Sequence, residues 1–353
     1  MKKSLLALAV LGAFAGAASA QSSVTIYGSL DLAVTKGNGG TAANNGANGT
    51  SKAWIEKQSN ASRLGFRGNE DLGGGLSAQF QIEHRFTPDD GAAATNAPFW
   101  QGRSYVQLSS ATLGRVYLGR EYSPAFWVQV KSDPFGNDGV GQYGTVFSWA
   151  GFAIPSTVVT NNATTANSRT SNTVGYKSPN FGGLTVDAAV GLGENSVPRT
   201  NGFNVEYAAG PIYAGLAYEK LKGLGAAQGD GNSLINMAFH YDLGVVKPMV
   251  YYARAKINGG TLVNKTFQIG ALAPIGPGTL KAGYGRETLD AVAPASNGNI
   301  TKFSIGYDYP LSKRTNVYAD AGFGRQKDNV SATGVRTSFT NNNAYAFGLK
   351  HTF

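Results

Sequence analysis

Asn343-Ala344-Tyr345-Ala346-Phe347-Gly348-Leu349-Lys350-His351-Thr352-Phe353, the end of the chain, alternates large apolar or aromatic side chains with small or charged ones. A side-chain period of two puts Tyr345, Phe347, Leu349 and Phe353 on one face and Ala344, Ala346, Gly348 and Lys350 on the other. The stretch therefore reads as a terminal strand with one greasy face. In lipid every backbone N–H and C=O must find a partner within the protein, so a strand that is apolar outside and polar inside belongs in a closed barrel.

The opposite end reads as an export signal. Lys2 and Lys3 form a basic start, Leu5 to Ala15 an apolar run, and Ala18-Ser19-Ala20 a small-residue cleavage site before Gln21. Residues 1–20 are expected to be removed and residues 21–353 to form one transmembrane β-barrel, an apolar run this short favouring a cleaved signal over a retained helix. Beyond residue 20 no apolar run approaches the ~18 residues of a membrane helix, so an integral state has to be built of strands.

Composition narrows the function classes. The chain has 48 Gly, 17 Tyr, 18 Phe, no Cys and 14% charged residues, against the ~25% usual for soluble domains. Without Cys there is no disulfide, thiolate chemistry or sulfur-based metal site, which suits passage through an oxidising periplasm. The formal charge of +9, or +7 once Lys2 and Lys3 leave with the signal, contains no basic run of ~5 residues. No nucleic-acid partner is expected.

Alternation recurs in about sixteen segments of about ten residues each. The clearest is Leu76-Ser77-Ala78-Gln79-Phe80-Gln81-Ile82-Glu83-His84-Arg85-Phe86; others lie at Arg103 to Leu108, Leu184 to Leu192, Ser233 to Tyr241, Phe303 to Tyr309 and Thr315 to Phe323. Short connections carry turn chemistry, as in Asp71-Leu72-Gly73-Gly74-Gly75, Asp242-Leu243-Gly244 and Ile275-Gly276-Pro277-Gly278, and are placed on the periplasmic side. Long Asn/Gly/Thr-rich ones, including Gly37 to Ser51, Thr87 to Pro98 and Gln326 to Asn341, then face outward. Gly73 to Gly75 is not a phosphate cradle, because no Lys-Ser/Thr follows it.

One connection is anomalous. From near Glu121 to near Arg169 the chain runs far beyond a normal loop, and it carries Phe126-Trp127, Asp133-Pro134-Phe135-Gly136, Asp138 and the apolar stretch Trp149 to Ile154. Folding back into the lumen would bury these side chains and narrow a channel; a surface flap or a helix outside the barrel is the alternative.

Several stretches in order resemble the general diffusion porins of Gram-negative outer membranes, β-proteobacterial type. They are Ser23-Val24-Thr25-Ile26-Tyr27-Gly28-Ser29-Leu30-Asp31, Ser62-Arg63-Leu64-Gly65-Phe66-Arg67-Gly68-Asn69-Glu70-Asp71-Leu72-Gly73, Leu118-Gly119-Arg120-Glu121-Tyr122-Ser123-Pro124, Asp133-Pro134-Phe135-Gly136 and Phe353. The resemblance implies a sixteen-stranded homotrimeric barrel in outer-membrane lipid, its third extracellular loop folded inward as a constriction. It also implies that Phe353 is read by the barrel insertion machinery.

In such a pore the informative residues are charges whose strand parity points inward. Leu64 and Phe66 mark the lipid face, leaving Arg63 and Arg67 in the lumen. Val106 and Leu108 do the same for Arg103, Val174 and Tyr176 for Arg169, and Phe80, Ile82 and Phe86 for Arg85. The resemblance adds that the arginines at 63, 103 and 169 match constriction residues. Opposite them the loop is expected to present Asp133 and Asp138, with Glu121 at its base. Small hydrophilic solutes, with anions preferred, are the expected cargo, and no cofactor is expected.

Catalytic and receptor readings have less support. His84, His240 and His351 show no metal-ligand spacing, and no Gly-x-Ser-x-Gly elbow surrounds a nucleophile. A barrel phospholipase would need His240 on the lipid face, whereas it shares parity with Asn236, Ala238 and Asp242. A plugged receptor or adhesin barrel would need an N-terminal plug, and alternation starts at residue 24.

Overall fold

The computed structural model describes residues 23–39, 51–93, 98–143, 168–194, 198–223, 231–257, 262–291, 298–328 and 340–353. The expected export signal and the apolar stretch Trp149 to Ile154 lie outside these residues.

The elements in chain order are β1 (Ser23–Gly37), β2 (Trp54–Lys57), β3 (Arg63–Gly73), β4 (Leu76–Thr87), β5 (Ala92–Ala93), β6 (Ser104–Ser110), β7 (Gly114–Tyr122) and the helix α1 (Pro124–Val130). There follow β8 (Arg169–Lys177), β9 (Leu184–Gly191), β10 (Arg199–Ala209), β11 (Ile212–Lys222), β12 (Ser233–Tyr241) and β13 (Lys247–Ile257). The last are β14 (Leu262–Ile275), β15 (Gly278–Ala291), β16 (Gly298–Pro310), β17 (Thr315–Asp328) and β18 (Thr340–Thr352). Apart from the short β2 and β5, sixteen antiparallel strands circle the molecule, each paired with its sequence neighbours.

Closure happens at the chain ends. β1 pairs with β18 from Ser29↔Thr352 to Gly37↔Ala344. On its other side it pairs with β3 from Ser23↔Asn69 to Ser29↔Arg63, and then with β2 from Ala33↔Lys57 to Lys36↔Trp54. Phe353 finishes the seam: its C=O accepts the Gly28 N–H at 3.0 Å, and its own N–H donates to the Gly28 carbonyl at 3.1 Å. A ring closed in this way leaves no open sheet edge, as a lipid-embedded sheet requires.

The two faces follow the sequence period. In β12, Ile235, Met237, Phe239 and Tyr241 are exposed on the outside, while Leu234, Asn236, Ala238 and His240 are buried on the inside. β4 and β18 repeat this, with Phe80 and then Tyr345, Phe347 and Leu349 outward. Among the described residues no helix is long and apolar enough to cross a membrane, so the apolar surface is carried by strands.

Glycine and tyrosine are abundant for a packing reason. Tyr27 is paired with Gly65 and Tyr117 with Gly175, and a Cβ on the glycine would lie only 2.4 and 2.1 Å from the respective tyrosine rings. Inward tyrosines thus lie flat over bare backbone of the adjacent strand, covering what a glycine leaves unpacked. The turn between β3 and β4 uses glycine differently: Gly73, Gly74 and Gly75 have φ of 81°, 60° and 79°, conformations that disfavour any Cβ.

An apolar core sits on one part of the inner wall. Ala125 and Val128 of α1 pack on Tyr213, Ala217 and Leu221 of β11, Leu234 and Ala238 of β12, and Tyr251, Ala253 and Ala255 of β13. The inner face is apolar there because a helix covers it.

Candidate functional site

The segment after β7 is built from a capped turn outward. Ser123 caps α1, its hydroxyl accepting the Phe126 N–H at 3.3 Å, and Pro124 occupies the first turn, where a missing N–H costs nothing. Side chains from the inner face of successive strands then hold this segment. Asn204 of β10 donates to the Pro124 carbonyl at 2.8 Å, Glu219 of β11 accepts the Ala125 N–H at 2.9 Å, and Asn236 of β12 donates to the Ala125 carbonyl at 2.9 Å. Further along, Gln268 of β14 donates to the Ser132 carbonyl at 2.8 Å, Lys302 of β16 donates to the Gln142 carbonyl at 2.7 Å, and Lys350 of β18 lies 3.5 Å from Asp138. Residues 123–143 are therefore held along the polar face of β10 to β18, while Phe126 and Trp127 also touch the β3 to β8 wall at Tyr122, Arg103 and Lys177.

That second wall carries the expected arginines. Arg63 and Arg67 on β3 have no carboxylate within ion-pair distance among the described residues, and the Arg67 guanidinium sits 5.4 Å over the Tyr27 ring. Arg85 on β4 is buried and paired: it meets Glu83 at 2.7 Å and donates to the Ala61 carbonyl at 2.9 Å and to the Tyr122 hydroxyl at 3.2 Å. Arg103, just before β6, is held by Glu121. Its Nε donates to the two carboxylate oxygens at 2.9 and 3.0 Å, its Nη2 contacts the same group, and its Nη1 donates to Gln81 at 3.0 Å. The Tyr105 and Trp127 rings flank this guanidinium at 4.9 and 5.7 Å.

Arg169 needs a correction to its argument. The register between β7 and β8 shifts between Gly119 and Glu121, with Asn172 at φ 54°, so parity counted back from Val174 and Tyr176 does not carry through to residue 169. Arg169 instead joins the other arginines through Tyr122: it donates to the tyrosine hydroxyl and lies 4.2 Å over the ring.

The carboxylates differ more from expectation. Glu121, near the end of β7 at the base of the loop, neutralises Arg103 beside it and accepts the Tyr122 N–H at 2.6 Å. Asp133 is buried and spent on the loop itself, accepting the backbone N–H groups of Phe135 at 2.9 Å, Asn137 at 3.2 Å and Tyr143 at 2.7 Å. Asp138 bonds Asn60 and pairs with Lys350, at the seam between β18 and β1. Of the three expected carboxylates, Asp133 thus organises the loop, and Glu121 and Asp138 each sit in an ion pair.

Four residues around this wall are not singled out as site residues by the sequence. Glu83, the partner of Arg85, carries a visible signal: it shares the polar face of β4 two residues away. Arg120 donates to the Gln101 carbonyl at 3.0 Å and to the Ser171 hydroxyl at 2.8 Å, and in the sequence its neighbour Glu121 draws the attention instead. Tyr122 and Trp127 are visible only in three dimensions, Tyr122 stacking on Phe126 at 4.4 Å and lying 5.0 Å from Trp127.

His240 faces the lumen, stacked on Tyr213 at 4.6 Å with its Nε2 3.1 Å from the Ser132 hydroxyl. Ser132 is 1% exposed and donates to the Val128 carbonyl at 2.7 Å, so the pair is a loop anchor with no access to lipid.

A sequence model described as Gram-negative porin matches residues 7–329. Outer membrane porin protein 32 of Delftia acidovorans is 33% identical over 362 residues, covering 99% of this chain and 95% of that protein. An outer membrane porin protein of Bordetella pertussis is 28% identical over 400 residues, covering 96% of this chain and 100% of that protein. Among solved structures, the anion-selective porin from Comamonas acidovorans superposes with a TM-score of 0.75 at 29% identity, covering 94% of this chain and all of that one.

Proposed function

The chain belongs to the Gram-negative porin family, and from that premise we propose that it forms a water-filled channel for passive diffusion of small hydrophilic solutes, with a preference for anions set by the β3 to β8 wall. One observation carries the anion preference. On that wall Arg85 and Arg103 are neutralised by Glu83 and Glu121, whereas Arg63, Arg67, Arg115, Arg120 and Arg169 have no ion-pair partner among the described residues. Segment 123–143 supports a constriction reading, since its hydrogen bonds hold it to β10 to β18 while Trp127 reaches across to Arg103. In a narrow passage bounded by low-dielectric wall, unpaired cations concentrate anions. The Comamonas acidovorans protein named as anion-selective is consistent with this reading.

Assembly as a homotrimer fits the outer seam. A groove of about 560 Å³ there is lined by Leu32, Val34, Tyr309, Val317, Phe347 and Leu349, and it also carries Glu56. A carboxylate on an outer face is costly against lipid and is better placed under a neighbouring subunit. Export with cleavage after Ala20, and recognition of Phe353 by the insertion machinery, complete the reading, which requires no reacting group and no cofactor.

Conductance in a planar bilayer tests it. Insertion events that close in three equal steps are expected; a folded, inserted protein without conductance would overturn the channel, and single steps would overturn the trimer.

A further inference from the structure

The outer surface of the barrel gathers cations at one level of one arc. Arg199 of β10 stands directly opposite Lys222 of β11, and Arg254 of β13 directly opposite Lys265 of β14. Strand parity turns them away from the lumen, since Glu219 and Leu221 beside Lys222, and Ala253 and Ala255 around Arg254, are buried inside. Lys220 and Lys256 flank Ser233 of β12 in the same row, and Arg286 of β15 stands opposite the outward Phe267. Like charges opposed across a strand pair destabilise it. Of these seven cations only Lys265 has an ion-pair partner among the described residues, Asp290 at 2.9 Å.

The row also has a defined height. Lys220 stands eight residues beyond Ile212, the start of β11, and Arg286 eight beyond Gly278, the start of β15. At ~3.3 Å per residue and a tilt of ~40° the rise is about 20 Å, near the upper edge of an apolar band ~25 Å tall. Two residues below each cation lies an outward ring: Tyr218 under Lys220, Tyr252 under Arg254, Phe267 under Lys265 and Tyr284 under Arg286. Aromatic rings mark the head-group level, and long cationic side chains reach the layer just above it. Elsewhere on the rim the outward positions toward the same end are apolar, as with Leu64 and Phe66 of β3, Phe86 of β4 and Leu192 after β9. The cations are therefore a local feature of the β10 to β15 arc.

We propose that this arc is a binding surface for the phosphate groups of an anionic lipid in the outer leaflet, with the acyl chains lying along the exposed Leu216, Ile235, Val250 and Ile269. Opposed side chains start ~5 Å apart, so one phosphate can sit between two cations, and a guanidinium fork matches its paired oxygens. The lipid supplies the counter-charge that the opposed pairs lack. The inference rests on the barrel's place in the outer membrane and is independent of anion preference, because none of these side chains faces the lumen.

Native mass spectrometry of the purified protein, released from micelles holding equal amounts of phosphatidylcholine and phosphatidic acid, counts the lipids retained. Preferential retention of phosphatidic acid is expected. Arg199→Gln with Lys222→Gln, and separately Arg254→Gln with Lys265→Gln, should each reduce that retention, by roughly fivefold per cation and so tenfold or more per pair. Both variants should keep the wild-type zero-current potential, which also reports that they are folded; the pairs lie on different strands, so either variant decides if the other fails to insert. Oleate, an amphiphile with a carboxylate, should be retained less than phosphatidic acid. The proposal is overturned if the wild type retains phosphatidic acid no better than phosphatidylcholine, if oleate is retained equally, or if a folded variant keeps wild-type retention. It is also overturned if a variant changes the oligomeric state, which would assign the arc to a neighbouring copy of the chain. Absence of wild-type conductance is a different failure and falls on the channel reading.

Discussion

Replacing Glu121 with Gln removes the carboxylate that neutralises Arg103 and leaves the side-chain shape nearly unchanged. In the intact protein the Glu121 side chain is 2% exposed and Arg103 is 23% exposed, so the pair contributes little field to the lumen. After Glu121→Gln, Arg103 still has Gln81 at 3.0 Å and the two flanking rings, and is expected to stay in place with one uncompensated positive charge. An anion passing at ~4 Å interacts with a unit charge by ~1 kcal/mol in a water-like medium and ~4 kcal/mol at an effective dielectric constant of 20. Because Arg103 is partly wetted, the lower figure applies, and ~1 kcal/mol is roughly a fivefold change in the anion-to-cation permeability ratio. The lost charge-assisted bonds cost about 1.5 to 3 kcal/mol of local stability, discounted by the remaining contacts, so the barrel should still insert. The zero-current potential in a KCl gradient, measured beside heat unfolding, reads both effects. An inserted variant with an unmoved potential, or one moved toward cations, would refute the assignment of Arg103 to the ion path.

The other expectations concern the loop, the seam and the export signal. Asp133→Asn turns one of the acceptors organising residues 133–143 into a donor, so larger and noisier single-channel currents are expected with little change of selectivity; a variant current as quiet as that of the wild type would contradict the loop-organising role. Gly28→Val places a side chain where the Phe353 ring lies, and should reduce the folded outer-membrane fraction as deleting Phe353 does, by more than the ~1.5–3 kcal/mol burial of one aromatic implies. Wild-type levels of either variant in the outer membrane would sink this seam account. Intact mass of the purified protein should correspond to a chain beginning at Gln21, and a mass that includes residues 1–20 would rule out cleavage.

Particular residues show what the sequence could and could not convey. The alternating stretch Ser233 to Tyr241 coincides with β12, and Leu76 to Phe86 falls one residue short of β4, because alternation against lipid is a strict geometric demand. Arg63, Arg67, Arg85 and Arg103 follow from the same parity. Arg169 does not, since a register shift between strands distant in sequence interrupts the count. Asp133 and Glu121 are visible as charges, but what a carboxylate is spent on depends on which N–H or guanidinium folds against it. Nothing local in the sequence distinguishes Asp133, bound to its own backbone, from Asp138, which reaches Lys350 across the seam. The arginine cluster around Tyr122 likewise depends on a contact between β4, β7 and β8 that composition does not encode.

The most direct test of the central claim is the zero-current potential of the wild-type channel across a dilute KCl gradient. The unpaired guanidiniums of the β3 to β8 wall predict the anion-selective sign in dilute salt. They also predict that the preference fades toward 1 M, as the screening length shortens from ~10 Å at 0.1 M to ~3 Å. A cation-selective sign in dilute salt would contradict the account.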